Sequence, residues 1–283
     1  MEEHKKIIVV PWDFTHIAGH ALAHAVKISR MVGNDICLLH IVDSGIKPHV
    51  VAEKKAHLNK VIEENTKKYN VPIHYHIAKG SIFSEIAEYA NDKEASLVVM
   101  GTHGMKGMQK LTGSWALKVI VKSKVPFIVV QDAPFDQERY HNIVFPVDFR
   151  GENKEKMRMA IFMGKYFDSK IHLLVAMSTD KSLSKKTKIN LNFGVKYLIQ
   201  NNIEYEIHEV PKGDFAQQTL DFALKINADL ILIVTTKNIT FADYIVGASE
   251  QYMIANSSKI PVCCVNPMTS FANVGQFMGG WGA

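Results

Sequence analysis

The sequence predicts an α/β protein of two tandem domains, each with a five-stranded, mostly parallel sheet that carries helices on both faces. Two observations lead to this fold class. Short apolar runs alternate with segments of helical periodicity through the first half of the chain. The second half then repeats the first in the same order about 134 residues later, a period far too long for a solenoid of short repeats.

The repeat is defined by four pairs of segments that match in order and in residue type. They are residues 8–14 with 143–149, 79–83 with 212–215, 95–100 with 228–233, and 124–130 with 259–265. Each half is near the usual size of a domain and can bury a core of its own. We predict domains at 1–135 and 141–270, joined through a polar stretch, and a C-terminal tail at 271–283 that either docks or frays.

The elements of the first half follow one another as strand, helix, strand. A strand at residues 6–10 precedes apolar positions at helical spacing, and Gly33 suits the end of that helix. Ser81 is the expected N-cap of a later short helix. Ligands in such sheets bind beyond the carboxyl ends of the strands, so Asp13 and Gly101 would face one crevice if the first and fourth strands are neighbours. The remaining predictions are strands at 36–42, 73–77, 97–100 and 127–130, and helices at 52–69 and 114–123.

A glycine-bearing loop after the fourth strand is the main functional signal. Residues 100–104 read MGTHG, and Gly113 and Ser114 follow after eight further residues, just before an apolar helix start. Glycine admits close backbone approach, and the N–H groups and dipole of a helix N-terminus favour an anion, so this pattern indicates phosphate binding. Neither a P-loop nor the dinucleotide fingerprint is present. The alternative is a glycine-rich connection that binds no ligand.

The chain resembles the universal stress protein family in its tandem two-domain form. The resemblance covers nearly the whole chain and rests on Pro-x-Asp-x-Thr at 11–15, on His-Ile-Val-Asp at 40–43, and on the glycine pattern of the loop. It implies a Rossmann-like fold of the adenine-nucleotide α-hydrolase type, with ATP or AMP bound at the loop. It also implies that the two domains pair through their fifth strands about a pseudo-twofold axis, which agrees with the apolar edges at 127–130 and 262–265.

The resemblance further implies roles for individual residues of the first half. Asp13 and Gly101 would hold the ribose, and the backbone of Ile41 would meet the adenine beside Met100. Mg²⁺ on the nucleotide phosphates is the one metal ion expected, with Asp13 as a side chain that could bind it. The phosphates would lie against Gly104, Gly113, Ser114 and the backbone of Trp115, with Pro11 from the first motif and His103, which either contacts phosphate or only fills the loop.

The second half keeps the fold pattern but loses the loop. Val234 and Lys237 stand where the first half has its first two glycines, and Ala248 replaces the serine after Gly247. A side chain would then occupy the space through which the backbone must approach a ligand. Asp148 remains after the first strand of this half, either as part of a former site or only as the end of that strand. We therefore expect nucleotide in the first half alone.

Composition narrows the classes of function and the location. The net charge is +5 over 283 residues, and no long basic run is interleaved with aromatics, so nucleic acid is not an expected partner. The three cysteines make no disulfide framework and are expected in the core, with Cys263 and Cys264 on opposite faces of one strand. A charged start and the lack of a long apolar stretch predict neither a signal peptide nor a membrane span, so the expected location is the cytoplasm. His16, His20 and His24 share a helix face that we expect to be solvated rather than to hold a metal.

No set of nucleophile, base and carboxylate can be assembled from the sequence, so a catalytic role is not favoured. The leading hypothesis is an adenine-nucleotide sensor of the stress response whose bound state changes how it meets an unknown regulatory protein. The alternative is a ligand-free pairing module, suggested by a loop one residue shorter than the family pattern. A slow ATPase is the weaker third, for which phosphate release should vanish in Asp13→Ala. We also expect two tandem chains to form a homodimer.

Overall fold

The computed structural model describes residues 6–102, 113–135, 138–150, 153–235 and 249–266. The first half consists of β1 (Ile7–Pro11), α1 (His16–Val32), β2 (Asp35–Val42), α2 (Pro48–Tyr69), β3 (Ile73–Lys79), α3 (Ile82–Asp92), β4 (Leu97–Gly101), α4 (Gly113–Ile120) and β5 (Phe127–Val130). The second half consists of β6 (Asn142–Val147), α5 (Asn153–Phe167), β7 (Lys170–Ala176), α6 (Lys181–Gln200), β8 (Tyr205–Val210), α7 (Phe215–Lys225), β9 (Leu230–Val234), α8 (Ser249–Ile254) and β10 (Val262–Val265).

The ten strands form one continuous sheet in the order β3-β2-β1-β4-β5-β10-β9-β6-β7-β8. Neighbouring strands within each half run parallel. The halves join where β5 pairs antiparallel with β10, which places Ile128 opposite Cys263. The predicted α/β fold, with two five-stranded halves paired through their fifth strands, is confirmed. Each fifth strand covers an apolar edge that would otherwise invite association with another chain.

Two side-chain amides, one from each half, donate hydrogen bonds across the junction between the halves. The Gln131 Nε2 group donates to the carbonyl of Asn256 over 2.9 Å, just past the end of α8. The Asn266 Nδ2 group donates to the carbonyl of Val121 over 2.8 Å, just past the end of α4. Both residues immediately follow a fifth strand and are buried. Each half therefore supplies hydrogen bonds to carbonyls at the end of the other half's last helix, where helical partners run out.

Local signals set the helix ends. The Thr15 hydroxyl accepts a hydrogen bond from the Ala18 N–H and caps α1, which ends at Gly33 with φ at 75°. The Ser81 hydroxyl accepts from the Phe83 N–H and caps α3, so both predicted boundary residues are confirmed. The helix predicted from residue 52 begins earlier, at Pro48. The fixed φ and missing N–H of a proline suit the first turn of a helix.

The sheet separates two apolar cores. Alternate residues of each strand enter opposite cores, and Cys263 and Cys264 follow this rule as predicted. All three cysteines are buried thiols, and burial raises the pKa of Cys37, Cys263 and Cys264. Such thiols behave as small apolar side chains rather than nucleophiles. Within the described residues, no helix combines the length and the apolar character needed to cross a membrane.

The expectation of a solvated histidine face on α1 is wrong for one of its three residues. His16 is exposed, but His24 is buried at the junction between the halves. Its Nδ1 atom lies 2.8 Å from the Tyr140 hydroxyl, and its Nε2 atom lies 3.2 Å from the carbonyl oxygen of Asp132. Burial, aided by nearby Lys27, lowers the pKa of His24 to about 3. The segment that joins the halves covers this end of the helix face, which helical periodicity alone does not reveal.

Candidate functional site

The first half places its site residues at a reversal of strand order. β1 lies between β2 and β4, so the chain turns to one side of β1 and later to the other. The crevice at such a switch point, beyond the carboxyl ends of the strands, is the common ligand position in open parallel sheets. Asp13 follows β1 and Gly101 ends the neighbouring strand β4. The condition on which the sequence placed both residues at one crevice is therefore met.

Asp13 is held by a tight turn at the start of α1. Its Oδ1 atom accepts hydrogen bonds from the Thr15 N–H (3.0 Å) and the Thr15 hydroxyl (2.5 Å). Phe14 between them adopts φ 64°, a left-handed conformation that is costly for a bulky side chain. The Phe14 ring contacts the His40 ring at a centroid distance of 4.9 Å, which helps to fix this conformation. The turn leaves the Asp13 side chain exposed beside the crevice.

Two buried nitrogens beside this turn have no hydrogen-bond partner among the described residues. They are Trp12 Nε1 and His40 Nε2. His40 Nδ1 lies 2.7 Å from the carbonyl oxygen of Trp12, and burial lowers the pKa of His40, so its ring is neutral at pH 7. A buried polar atom without a partner costs about 1–3 kcal/mol, and such atoms in a native structure need an explanation.

A cavity of about 690 Å³ opens at the carboxyl ends of β2 and β3. Its lining includes His40, Ile41, Ser44, Lys54 and Gly80. The volume falls in the range of small-molecule sites, about 300–1,000 Å³. Ile41, for which the family resemblance implies contact with adenine, therefore lines a cavity of suitable size.

Gly101 allows close packing between α1 and β4, a role that the sequence did not predict. A Cβ atom added there would lie 2.5 Å from Ile17 Cγ2 and 2.9 Å from the Ile17 carbonyl oxygen. Only a residue without a side chain lets α1 lie this close to the end of β4. The Met100 side chain is fully buried in the core, so this residue can offer a ligand only its backbone. Pro11 ends β1 opposite Leu39.

The remaining predicted phosphate residues are less completely described. His103 and Gly104 lie outside the described residues. Gly113, Ser114 and Trp115 form the first turn of α4, although their side chains also lie outside the description. Helix α4 connects the parallel neighbours β4 and β5. Its N-terminus therefore lies at the carboxyl end of the strands, where β4 ends at Gly101.

The corresponding crevice of the second half is bridged by an ion-pair chain. Asp148 Oδ1 accepts from the Arg150 N–H (2.9 Å), much as Asp13 accepts from Thr15. The Arg150 side chain then donates through Nε to Asp148 Oδ2 (2.7 Å) and through NH1 to Glu250 Oε1 (2.9 Å). Glu250 is buried in the first turn of α8. Its carboxylate therefore brings a negative charge to the helix turn whose counterpart in α4 was predicted to face phosphate.

A smaller cavity of about 270 Å³ lies beside this bridge, lined by Asp148, Arg150, Lys156, Val234 and other residues. The predicted lost-loop residues Lys237, Gly247 and Ala248 lie outside the described part of the chain. The part that Arg150 and Glu250 play in this crevice was not predicted from the sequence. The repeat carried a signal for the first of them, because Arg150 stands where the first half has Thr15.

Comparisons with known proteins identify relatives of this fold. Residues 5–131 match the sequence model of the Universal stress protein family. A universal stress protein of Methanocaldococcus jannaschii is 29% identical over 141 residues, which cover 44% of this chain and 82% of that protein. The crystal structure of a universal stress protein from Archaeoglobus fulgidus aligns with a TM-score of 0.72 at 16% identity, over 92% of this chain and 96% of that one. A universal stress protein from the same organism in complex with dAMP aligns over 44% of this chain and 98% of its own, at 20% identity; its TM-score of 0.36 is too low to assign its ligand here.

Proposed function

Because residues 5–131 match the Universal stress protein family, we propose that this chain is a regulatory protein of the stress response that binds ATP or AMP in its first half. The nucleotide lies across the carboxyl ends of β1, β2 and β4. Its bound state changes how the protein meets a regulatory partner. The two halves thus share one fold while only one of them binds ligand.

The observation that carries the proposal is the position of Asp13 at the switch point between β1 and β4. Thr15 holds one carboxylate oxygen, Oδ1, and the side chain is exposed at the end of β1. A carboxylate accepts hydrogen bonds, and the two hydroxyls of a ribose donate them. In the second half, Arg150 binds both oxygens of the corresponding Asp148.

The other groups extend the site on either side of the ribose. Adenine enters the cavity lined by Ile41 and brings polar ring atoms close to His40, whose Nε2 atom has no partner in the described residues. The phosphates lie toward the N-terminus of α4, where Gly113, Ser114 and the Trp115 backbone provide donors. His103 and Gly104 of the loop complete the phosphate contacts. Mg²⁺, when it accompanies the phosphates, offsets their charge beside Asp13.

The second half is proposed not to bind nucleotide because its crevice already contains paired charges. Arg150 is engaged by Asp148 and Glu250, and both carboxylates raise the pKa of its guanidinium against the effect of burial. A phosphate entering there would meet the carboxylates of Asp148 and Glu250. The guanidinium of Arg150 between them is already paired with both. Repulsion between these carboxylates and the phosphate would oppose binding.

The test is isothermal titration calorimetry of ATP and AMP, with and without Mg²⁺, on the wild type and two matched variants. Asp13→Asn should weaken binding at least about tenfold, because an amide presents one acceptor oxygen where the carboxylate presents two. Asp148→Asn makes the same change at the equivalent position of the second half and should leave affinity unchanged. Loss of binding in Asp148→Asn alone, or no binding to the wild type at millimolar nucleotide, would contradict the proposal. The second result would favour the ligand-free pairing module.

A further inference from the structure

Three potential metal ligands meet on the second half, away from the crevice described above. His172 lies on β7, and Glu206 and His208 lie on β8 at the edge of the sheet. Glu206 is opposite His172 in the strand register, and His208 is two residues farther along, so all three occupy the same face of the sheet. His172 is buried, His208 is half-buried and Glu206 is exposed, so the group reaches from the interior to the surface.

The distances among the three ligand atoms match one tetrahedral ion. His172 Nδ1 lies 3.1 Å from His208 Nε2 and 3.6 Å from Glu206 Oε2, and His208 Nε2 lies 3.4 Å from Glu206 Oε2. Zinc binds imidazole nitrogen and carboxylate oxygen at about 2.0–2.2 Å, so the edges of its tetrahedron are about 3.3–3.6 Å. An ion can therefore reach all three atoms with little movement of the side chains.

Neighbouring side chains orient two of these ligands. His172 Nε2 lies 3.0 Å from Asn142 Oδ1, so an N–H at Nε2 leaves the lone pair of Nδ1 directed at the other two ligands. Metal-bound histidines characteristically use their second nitrogen in this way. Lys170 binds Glu206 Oε1 over 2.5 Å and leaves Oε2 toward the histidines. Lys170 also pairs with Glu204 at 3.2 Å, so these three charged side chains carry a net charge of −1, which favours a cation.

The first half provides an internal comparison, because its corresponding positions carry other residues in another arrangement. Cys37 and His74 face each other in the register as His172 and Glu206 do, and His76 corresponds to His208. The Cys37 Sγ atom instead lies 3.3 Å from the Tyr89 hydroxyl, and His74 Nε2 lies 3.3 Å from Asp35 Oδ2. Among the described residues, three ligand atoms converge only in the second half.

One substitution accounts for part of this difference. Tyr89 on α3 corresponds to Phe222 on α7, and each ring lies 4.6 Å from the matching histidine, His76 or His208. Tyr89 offers a hydroxyl that engages Cys37, whereas Phe222 has no polar atom. The apolar ring therefore supports His208 without competing for the ligand atoms.

We propose that His172, Glu206 and His208 bind one divalent transition-metal ion, Zn²⁺ by the chemistry of the ligands, with a water molecule as the fourth ligand. Two imidazoles and one carboxylate suit zinc better than Mg²⁺ or Ca²⁺, which prefer oxygen ligands throughout. The ion fastens the edge strand β8 to β7. This site goes beyond the nucleotide function and does not depend on it.

The test is calorimetric titration of Zn²⁺ into the full chain, without an affinity tag and stripped of metal by a chelator. Wild type should bind one Zn²⁺ per chain, and His208→Ala should bind it at least about tenfold more weakly. His76→Ala, the matching change in the first half, should behave like the wild type. Any weak binding to others of the 13 histidines should be common to all three proteins and leave this difference intact. Equal affinity in His208→Ala and wild type, or no stoichiometric binding, would overturn the proposal.

A second measurement does not depend on how the variant folds. Anomalous diffraction at the zinc edge from wild-type crystals soaked in Zn²⁺ should give a peak about 2 Å from His172 Nδ1, Glu206 Oε2 and His208 Nε2. A peak elsewhere with none at these atoms would also overturn the proposal.

Discussion

The two halves differ at two single positions that matter for the site. One is a glycine replaced by valine, and the other is a threonine replaced by arginine. Gly101 admits Ile17 of α1 against the end of β4, while Val234 stands at the matching position of β9. Thr15 caps α1 beside Asp13, while Arg150 at the matching position reaches across to Glu250. The sequence predicted the loss of the second site from two missing glycines and from Ala248 in place of the serine. The structure adds that charged side chains now bridge its crevice.

The first prediction concerns this bridge. Arg150→Thr restores the residue type of the first half but leaves the buried Glu250 carboxylate without its guanidinium. We expect the free energy of unfolding to fall by about 2 kcal/mol, below the range for a fully buried pair because Arg150 is partly exposed. Urea denaturation of the two proteins measures this difference.

The control for the bridge is the double variant Arg150→Thr/Glu250→Gln. Removing the buried charge should return part of the lost stability, since an amide costs less to bury than a carboxylate that has lost its guanidinium partner. The bridge would be unimportant if Arg150→Thr left stability unchanged. It would also be misassigned if the second substitution simply added to the loss.

Helix α5 carries an unusual buried lysine. The Lys156 Nζ group donates to the Pro146 carbonyl over 2.5 Å and lies 4.2 Å from the centre of the Phe145 ring. Burial lowers the pKa of Lys156 to about 7, with Asp148 opposing this shift and Arg150 adding to it. Between pH 7 and 10.5 the unfolded chain therefore holds a proton that the folded chain releases.

The second prediction follows from that proton difference. Because the unfolded state binds more protons, the free energy of unfolding should rise with pH, by about 2 kcal/mol between pH 7 and 9. Lys156→Met should remove this rise, whereas Lys165→Met, at an exposed position on the same helix, should retain it. Urea denaturation at the two pH values measures the slope. Equal slopes in wild type and Lys156→Met would show that Lys156 keeps its proton in the folded state.

The elements themselves were largely predictable, for identifiable reasons. Strands such as β1 and β4 are apolar runs bounded by polar or glycine residues, and Ser81 and Gly33 mark helix ends by local chemistry. The burial of His24 was not predictable, because it depends on Tyr140 and Asp132 more than 100 positions away. The meeting of His172 with His208 was hidden for the same reason, since it depends on the register of two strands. Local pattern reveals elements, while contacts across the sheet need the fold.

Across the whole molecule, the antiparallel pairing of β5 and β10 turns two half-sheets into one. This pairing leaves β3 and β8 as the outer strands of the described sheet. The homodimer expected from the sequence stays a prediction, and it needs a surface other than the fifth strands. The nucleotide site implied by the resemblance likewise stays a proposal.

The third prediction concerns the junction. Gln131→Ala removes the donor to the carbonyls of Ile254 and Asn256, which are buried at the end of α8. We expect a loss of about 1–2 kcal/mol in the free energy of unfolding. Asn65→Ala removes an amide–carbonyl bond of 2.8 Å within α2, away from the junction, and should cost less because its site is only partly buried. If the two variants lost the same stability, the junction amide would have no special part in joining the halves.

The first half is proposed to bind an adenine nucleotide and the second half is not. A crystal structure of the wild-type chain grown with AMP tests this proposal most directly. We expect nucleotide density beside Asp13 and Ile41 at the ends of β1 and β2, and an intact Asp148–Arg150–Glu250 bridge without nucleotide in the second half. Nucleotide bound beside Asp148, or a first-half crevice without density at saturating AMP, would contradict nucleotide binding by the first half alone.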